Sequence, residues 1–270
     1  MSQQIILITC FHKMKLKFII LGCGSSLGVP RADGNWGKCN PKEKRNYRTR
    51  CSALIKTKDI NILIDTSPDL RHQLIQSNIE NIDYVFFSHM HGDQVHGIND
   101  LRIFAIKKKC KIPVYADKNT KNYLKNSFSY CFKNLPGYKA ILKLNDLKKN
   151  FYFKKKKLSI SIKSIPVQHG RIKSQSFIIN KTCAYISDAN KIFKNDLKFF
   201  KNLNYFIVDC LRLKPHPSHF CLQEVIELTK ILKPKKTILT NLHSDLDYNF
   251  LSKTLPKNII PAYDGMSLYI

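Results

Sequence analysis

The sequence is short of acid: 19 Asp and Glu stand against 46 Lys and Arg, a formal charge of +27. That balance favours anionic partners such as phosphate esters, nucleic acid or an acidic membrane surface. Most of the excess is lysine dispersed among Ile and Asn, a bias that genome composition would also produce, so charge alone selects no partner. Long apolar runs are missing as well: no stretch of 18 apolar residues occurs, which excludes a membrane-spanning helix. The nine cysteines, at 10, 23, 39, 51, 110, 131, 183, 210 and 221, are odd in number and contain no CxxC pair. That argues against a disulfide framework and a zinc knuckle, and leaves reduced, mostly buried thiols of a cytoplasmic protein.

What is present is a chain of 270 residues with apolar residues spread along its whole length, enough for one substantial core. Residues 1–13 hold a short apolar run with no basic region before it and no small-residue cleavage site, so a secretory signal is not expected there. Met14 precedes a clean strand pattern, "KLKFIILG". The domain is therefore expected to span 14–270, with 1–13 an N-terminal extension or a misplaced start.

Short β-branched or aromatic runs recur at "LKFIILG", "CSALIKT", "INILID", "DYVFFSH", "IPVYAD", "LSISIKSIPVQH", "SFIIN", "CAYISD", "YFIVDC", "KTILTNLH" and "SLYI", and each is expected to be a strand. Helical patterns lie between them at "SPDLRHQLIQS", with Ser67 as N-cap and Pro68 at the first helical position, at "NTKNYLKNSFSYCF", and at "HFCLQEVIELTKIL". The class is α/β with mixed strand connections.

The ends of these strands carry the chemistry. They stop at His89, His169, Asp188, Asp209 and His243. One such residue is usually a cap or a turn, but five in one chain match the outer rim of an α/β sheet, where loops converge side chains on a point. Imidazole and carboxylate are ligands of zinc, manganese and iron.

The order "INILIDTSPDL", "SHMHGDQVHG", "PVQHG", "YISDAN", "TNLHSDLDY" resembles the metallo-β-lactamase superfamily from about residue 15 to the end. The opening "LGCGSSLGVPRADGNWGKC" with "RNYRTRCSALI" is similar to the branch of phosphoribosyl cyclic phosphate phosphodiesterases and, further off, tRNase Z. The resemblance implies a single-domain, four-layer αββα sandwich with two divalent metal ions. One ion would be held by His89, His91 and His169, the second by Asp93 and His243, with Asp188 bridging them. A hydroxide shared by the ions would attack phosphorus.

The departure from the family pattern is Gln94, which stands where a further histidine would complete the HxHxDH motif. A neutral amide oxygen is a poorer ligand than imidazole, so the second site is expected to be weaker and to favour manganese over zinc. His96, three residues past Asp93, is a candidate substitute or a residue behind the ligands. In "VDCLRLKPHPSHFCLQEV" two prolines stiffen a loop that presents His216 and His219 before a helix. The resemblance makes His219 the acid that protonates the leaving oxygen, with Asp209 orienting an imidazole.

Arg48 and Arg50 in "KRNYRTRCS" are candidates for holding substrate phosphate through a guanidinium fork, with Arg45, Arg102 and Arg212 behind them. The phosphodiesterase branch carries a structural zinc on clustered cysteines after the first strand. Cys39 has no close partner there, so none is expected.

Three readings follow. The first is a cytoplasmic phosphodiesterase acting on a small anionic, cyclic phosphoester, possible as a homodimer and without membrane contact. The second is a tRNase Z-like nuclease, favoured by charge and opposed by the lack of a long Gly/Pro-rich arm, with only ten glycines in the chain. The third is a metal-poor, non-catalytic member, motivated by Gln94 alone.

Overall fold

The computed structural model describes residues 16–156 and 158–270. The expected extension at 1–13 and the expected domain start at residue 14 lie outside them. The chain first lays down β1 (Lys17–Gly22), β2 (Ser52–Lys56), β3 (Asn61–Ile64), β4 (Tyr84–Phe86), β5 (Ile112–Ala116) and β6 (Leu142–Asp146). It then lays down β7 (Asn150–Lys155), β8 (Leu158–His169), β9 (Ile172–Ile179), β10 (Cys183–Ile186), β11 (Tyr205–Asp209), β12 (Lys236–Thr240) and β13 (Ile259–Pro261). A last strand, β14 (Met266–Tyr269), returns to the first group. The result is two seven-stranded sheets, ordered β14-β1-β2-β3-β4-β5-β6 and β13-β12-β11-β10-β9-β8-β7. Both are mixed. The steps β3 to β6 and β10 to β13 are parallel, and the remaining steps are antiparallel.

The near-continuous apolar character of the central strands follows from burial on both faces. Along β1, Phe18 and Ile20 face the opposite sheet, while Ile19 and Leu21 face outward. β3 divides likewise, with Ile62 and Ile64 facing in and Leu63 out. Three apolar layers result. The inner one, between the sheets, holds Phe86, Phe177, Tyr185 and Ile207. The first outer layer packs the sheet against α1 (Leu70–Gln76), α2 (Gly92–Val95), α3 (Arg102–Lys108), α4 (Lys118–Ser127) and α5 (Ser129–Phe132). The second packs the other sheet against α6 (Leu222–Leu232) and α7 (Tyr248–Thr254). Helices, sheet, sheet, helices: this is the four-layer αββα sandwich, folded as one domain.

One helix start differs from expectation. Helix α1 begins at Leu70 behind an Asp69 cap, and Pro68 lies before it. Ser67 instead accepts from the Asp69 N–H at 3.2 Å and donates to Gln73 Oε1 at 3.0 Å, tying the approach to the helix rather than capping it. Among the described residues, no helix is long and apolar enough to cross a membrane.

Candidate metal centre

The parallel runs of both sheets deliver their strand ends to one rim. From β4 the chain passes through Ser88 to His89, then turns so that His91 caps α2, which carries Asp93 and Gln94. Strand β8 ends at His169, β11 ends at Asp209, and β10 and β12 stop just before Asp188 and Asn241. The first turn is held from below. Asp65, buried and at φ 63°, accepts the Ser88 backbone N–H at 2.7 Å, and Ser88 Oγ pairs with His89 Nδ1 at 3.0 Å.

Three ring nitrogens converge: His89 Nε2 is 3.0 Å from His91 Nδ1, and His169 Nε2 is 3.3 Å from the same atom. Donors about 2.0–2.1 Å from a tetrahedral ion would stand about 3.3 Å apart, so the spacing fits a bound divalent ion. Protonation fits as well. Burial drives the His89 pKa down to about 3, and burial also lowers that of His169, so both rings are neutral at physiological pH. His169 Nδ1 donates to the Ser218 carbonyl at 2.7 Å, which leaves its Nε2 lone pair free for the cluster.

Asp188, His169 and His219 form an adjoining group, each offering a donor atom within 4.8 Å of the other two. Burial alone would raise the Asp188 carboxyl, but His89, His219 and His169 hold it below the usual carboxylate range. Asp93 behaves oppositely: burial, reinforced by the charge of Asp188, lifts it to about 6. Imidazoles and carboxylates gathered in one pocket are a donor set that suits a divalent cation.

Within this group, His219 has Asp209 at 2.7 Å from its Nδ1. Burial works against its charge, yet Asp209, then Asp188 and Asp93, raise it to about 9. Asp209 is itself lifted to about 7 by burial, in spite of His219. Both groups hold protons more tightly than usual.

Not every candidate residue gathers here. His243 and His216 line the same cavity of about 290 Å³, but outside the two tight clusters. His243 Nδ1 lies 3.0 Å from Asp245, and His216 Nδ1 accepts from the Ser218 hydroxyl at 3.2 Å. His96 is exposed at the far end of α2, 3.2 Å from the Tyr123 hydroxyl, and does not reach the cluster. Arg48 corrects the expectation of a phosphate fork. It is 1% exposed and its Nη2 donates to Leu246 O at 2.7 Å and Asn46 Oδ1 at 3.1 Å, bracing the loop after His243 from inside. Arg50 pairs with Asp69 at 2.9 Å and lines no part of the cavity.

A model of the beta-lactamase superfamily domain matches residues 60–241, about two thirds of the chain. The chain belongs to the metallo-β-lactamase superfamily. Within it, a crystal structure of a new diphosphatase from the PhnP family superposes with a TM-score of 0.86 at 27% identity, covering 95% of this chain and 98% of that one. Zinc-bound PqqB from Methylobacterium extorquens (TM-score 0.74, 14% identity, 94% of this chain and 100% of that one) shares the fold. So does the short form of human tRNase Z (TM-score 0.67, 14% identity, 93% and 98%). A curated relative from Porphyromonas gingivalis, named octanoyltransferase, is 30% identical over 261 residues, and the chain spans about half its length, 52%.

Sequence reasoning missed Asn241. Its Nδ2 lies 3.2 Å from Asp188 Oδ1, 3.1 Å from Asp209 Oδ1 and 3.2 Å from His219 Nδ1, at the junction of both carboxylates and the imidazole. It sits at φ 60°, a left-handed conformation that Asn tolerates, one residue past the end of β12. The pattern places the end of this strand at His243, whereas β12 stops at Thr240, so position 241 reads as strand interior in the sequence. Ser25, on the loop after β1, lines the cavity and carried no signal in the sequence.

Proposed function

We propose that the chain is a metal-dependent phosphodiesterase acting on a small anionic ester in a reducing, cytoplasmic setting. The observation that supports it best is His219, backed by Asp209 at 2.7 Å, beside three converging imidazoles and the buried carboxylate of Asp188. His89, His91 and His169 would hold one ion, Asp93 and His243 a second, with Asp188 between them. When bound, the ions supply Lewis acidity that activates water and neutralises charge gathering on phosphorus; zinc suits the first site and manganese the oxygen-rich second. His219 then delivers its proton to the departing alkoxide, and Asp209 keeps the ring turned for that transfer. Asn241 spaces Asp188 from Asp209, so that only one of them faces the reaction.

Two other readings are weaker. Acyl transfer, the activity in the name of the Porphyromonas relative, has less support, because the chain spans only 52% of that relative's length. RNA cleavage remains a second reading because of the +27 charge.

The test is metal content by mass spectrometry on protein purified without chelator, paired with turnover of bis(p-nitrophenyl) phosphate after adding zinc or manganese. Near two ions per chain is expected, with turnover abolished in His169→Ala and reduced about 10²- to 10⁴-fold in His219→Gln. One ion or none, with no turnover under either addition, would return the chain to the metal-poor class.

A further inference from the structure

A second concave surface, a groove of about 620 Å³, lies on the outer face of the second sheet. Its floor follows from the alternation of β7 and β8. Phe151, Phe153, Ile160 and Ile162 turn into the layer between the sheets, which leaves Tyr152, Ser161 and Lys163 facing outward, with Tyr152 opposite Ser161. The apolar layer beneath α6 and α7 takes residues from β8 to β13 and none of the described residues of β7. The uncovered strip is walled instead by the turn of Lys194–Phe199 with the residues just after it, and by the turn between β9 and β10.

Lys163, Lys181, Lys198 and Lys201 line this groove, and no acid is among the described residues that do. With 46 basic residues against 19 acidic, a lone unpaired lysine signifies nothing in this chain. Four in one concavity differ, because like charges repel there with no carboxylate to offset them. Among the described residues none of the four forms an ion pair. Two of them are also held in position. Lys163 Nζ sits 4.2 Å from the Phe199 ring centroid and Lys198 Nζ 5.3 Å from the same point. The two ammonium groups therefore stand within a Debye length of each other, about 10 Å at 0.1 M ionic strength. A ring that gathers two cations pre-orders them for an anion of more than one charge. Tyr152 adds an independent feature: on the edge strand β7 its side chain is 77% exposed, the most of any large hydrophobic residue among those described. An aromatic face left in water beside clustered lysines suits a base stacked over it.

We infer that this groove binds a nucleoside polyphosphate, with the phosphate chain on the four lysines and the base on Tyr152. The volume falls in the range of small-ligand clefts, about 300–1,000 Å³, which favours a single nucleotide over a nucleic-acid strand. Lys163 stands six residues before His169 on β8, about 20 Å along the strand, so the ligand occupies a site apart from the metal centre and independent of its chemistry.

Equilibrium dialysis of ATP and of inorganic tripolyphosphate, at about 50 mM salt to limit screening, tests it. Both are expected to bind the wild type, ATP the more tightly, and both to lose about ten- to a hundredfold in affinity when Lys163→Gln and Lys198→Gln are combined. Tyr152→Ala should remove the advantage of ATP and leave tripolyphosphate unchanged. Binding that persists in His169→Ala supports the groove, whereas binding lost there belongs to the metal centre and overturns it. Equal affinity in the wild type and the double lysine variant, or no saturable binding by about 1 mM, overturns it as well. An advantage of ATP that survives Tyr152→Ala overturns the nucleotide as ligand. Tighter binding of a single-stranded RNA oligonucleotide than of ATP, weakened in the same lysine variant, overturns the small ligand in favour of a nucleic-acid surface.

Discussion

Gln94 is the residue on which the affinity for a second ion would turn. It is fully buried, its Nε2 donates to Asp188 at 3.2 Å and Asp93 at 3.3 Å, and its Oε1 is buried with no partner among the described residues. The amide thus links the two carboxylates that the second ion would need. An ion entering there must compete with those N–H bonds and receives at best a neutral carbonyl in return. Gln94→His is therefore expected to tighten binding of the second ion about ten- to a hundredfold, with little change at the first. A two-step zinc titration by competition with a chromogenic chelator reads both constants. Unchanged or weaker second-ion binding would mean the carboxylates, not position 94, limit the site. At this scale the sequence was legible where residue type is itself the signal, as with His89, His91, Asp188 and Gln94. It was not legible where role depends on direction. Arg48 and Arg212 look alike in a string of letters, yet one is folded inward onto carbonyls and the other lines the cavity.

At the scale of elements, the short strand β4 matters out of proportion to its length. Its last residue, Phe86, stacks on Tyr115 at 4.9 Å between centroids and meets Phe151 and Phe177 edge-on at 4.8 and 5.7 Å, clamping the two sheets three residues before His89. Removing the ring opens a cavity that these neighbours cannot fill without shifting strands. Phe86→Ala is expected to destabilise the fold by about 3–5 kcal/mol, measured by urea unfolding. A loss under about 1 kcal/mol would show that the inter-sheet layer repacks and is not what sets the rim. The strands that pattern reading missed are β6, β7 and β13, and each is an edge of its sheet. Edge strands are flanked on one side only and tolerate polar residues, as "LKLND" and "NFYFKK" show. The periodicity that betrays a strand is weakest where the sheet ends.

At the scale of the whole molecule, the charge of +27 is the property most easily mistaken for function. A nuclease would be expected to concentrate it into a track leading to the metal centre. Here the cavity lining sets Arg212 against Asp93 and Asp188, and lysines gather elsewhere: Lys163, Lys181, Lys198 and Lys201 line a separate groove by β8 and β9. A small diester brings few charges and meets the site locally, whereas an RNA neutralising six to ten phosphates would lose about 10³–10⁵ in affinity between 50 and 200 mM salt. Turnover of bis(p-nitrophenyl) phosphate is accordingly expected to change less than about threefold over that range, because screening acts little on contacts inside a recessed site. RNA added as a competitor at 200 mM salt should leave it unaffected. Strong RNA inhibition at 200 mM, or RNA cleavage that outpaces the small ester there, would show that the dispersed lysines do assemble into a binding surface, and the nuclease reading would displace the small-ester one.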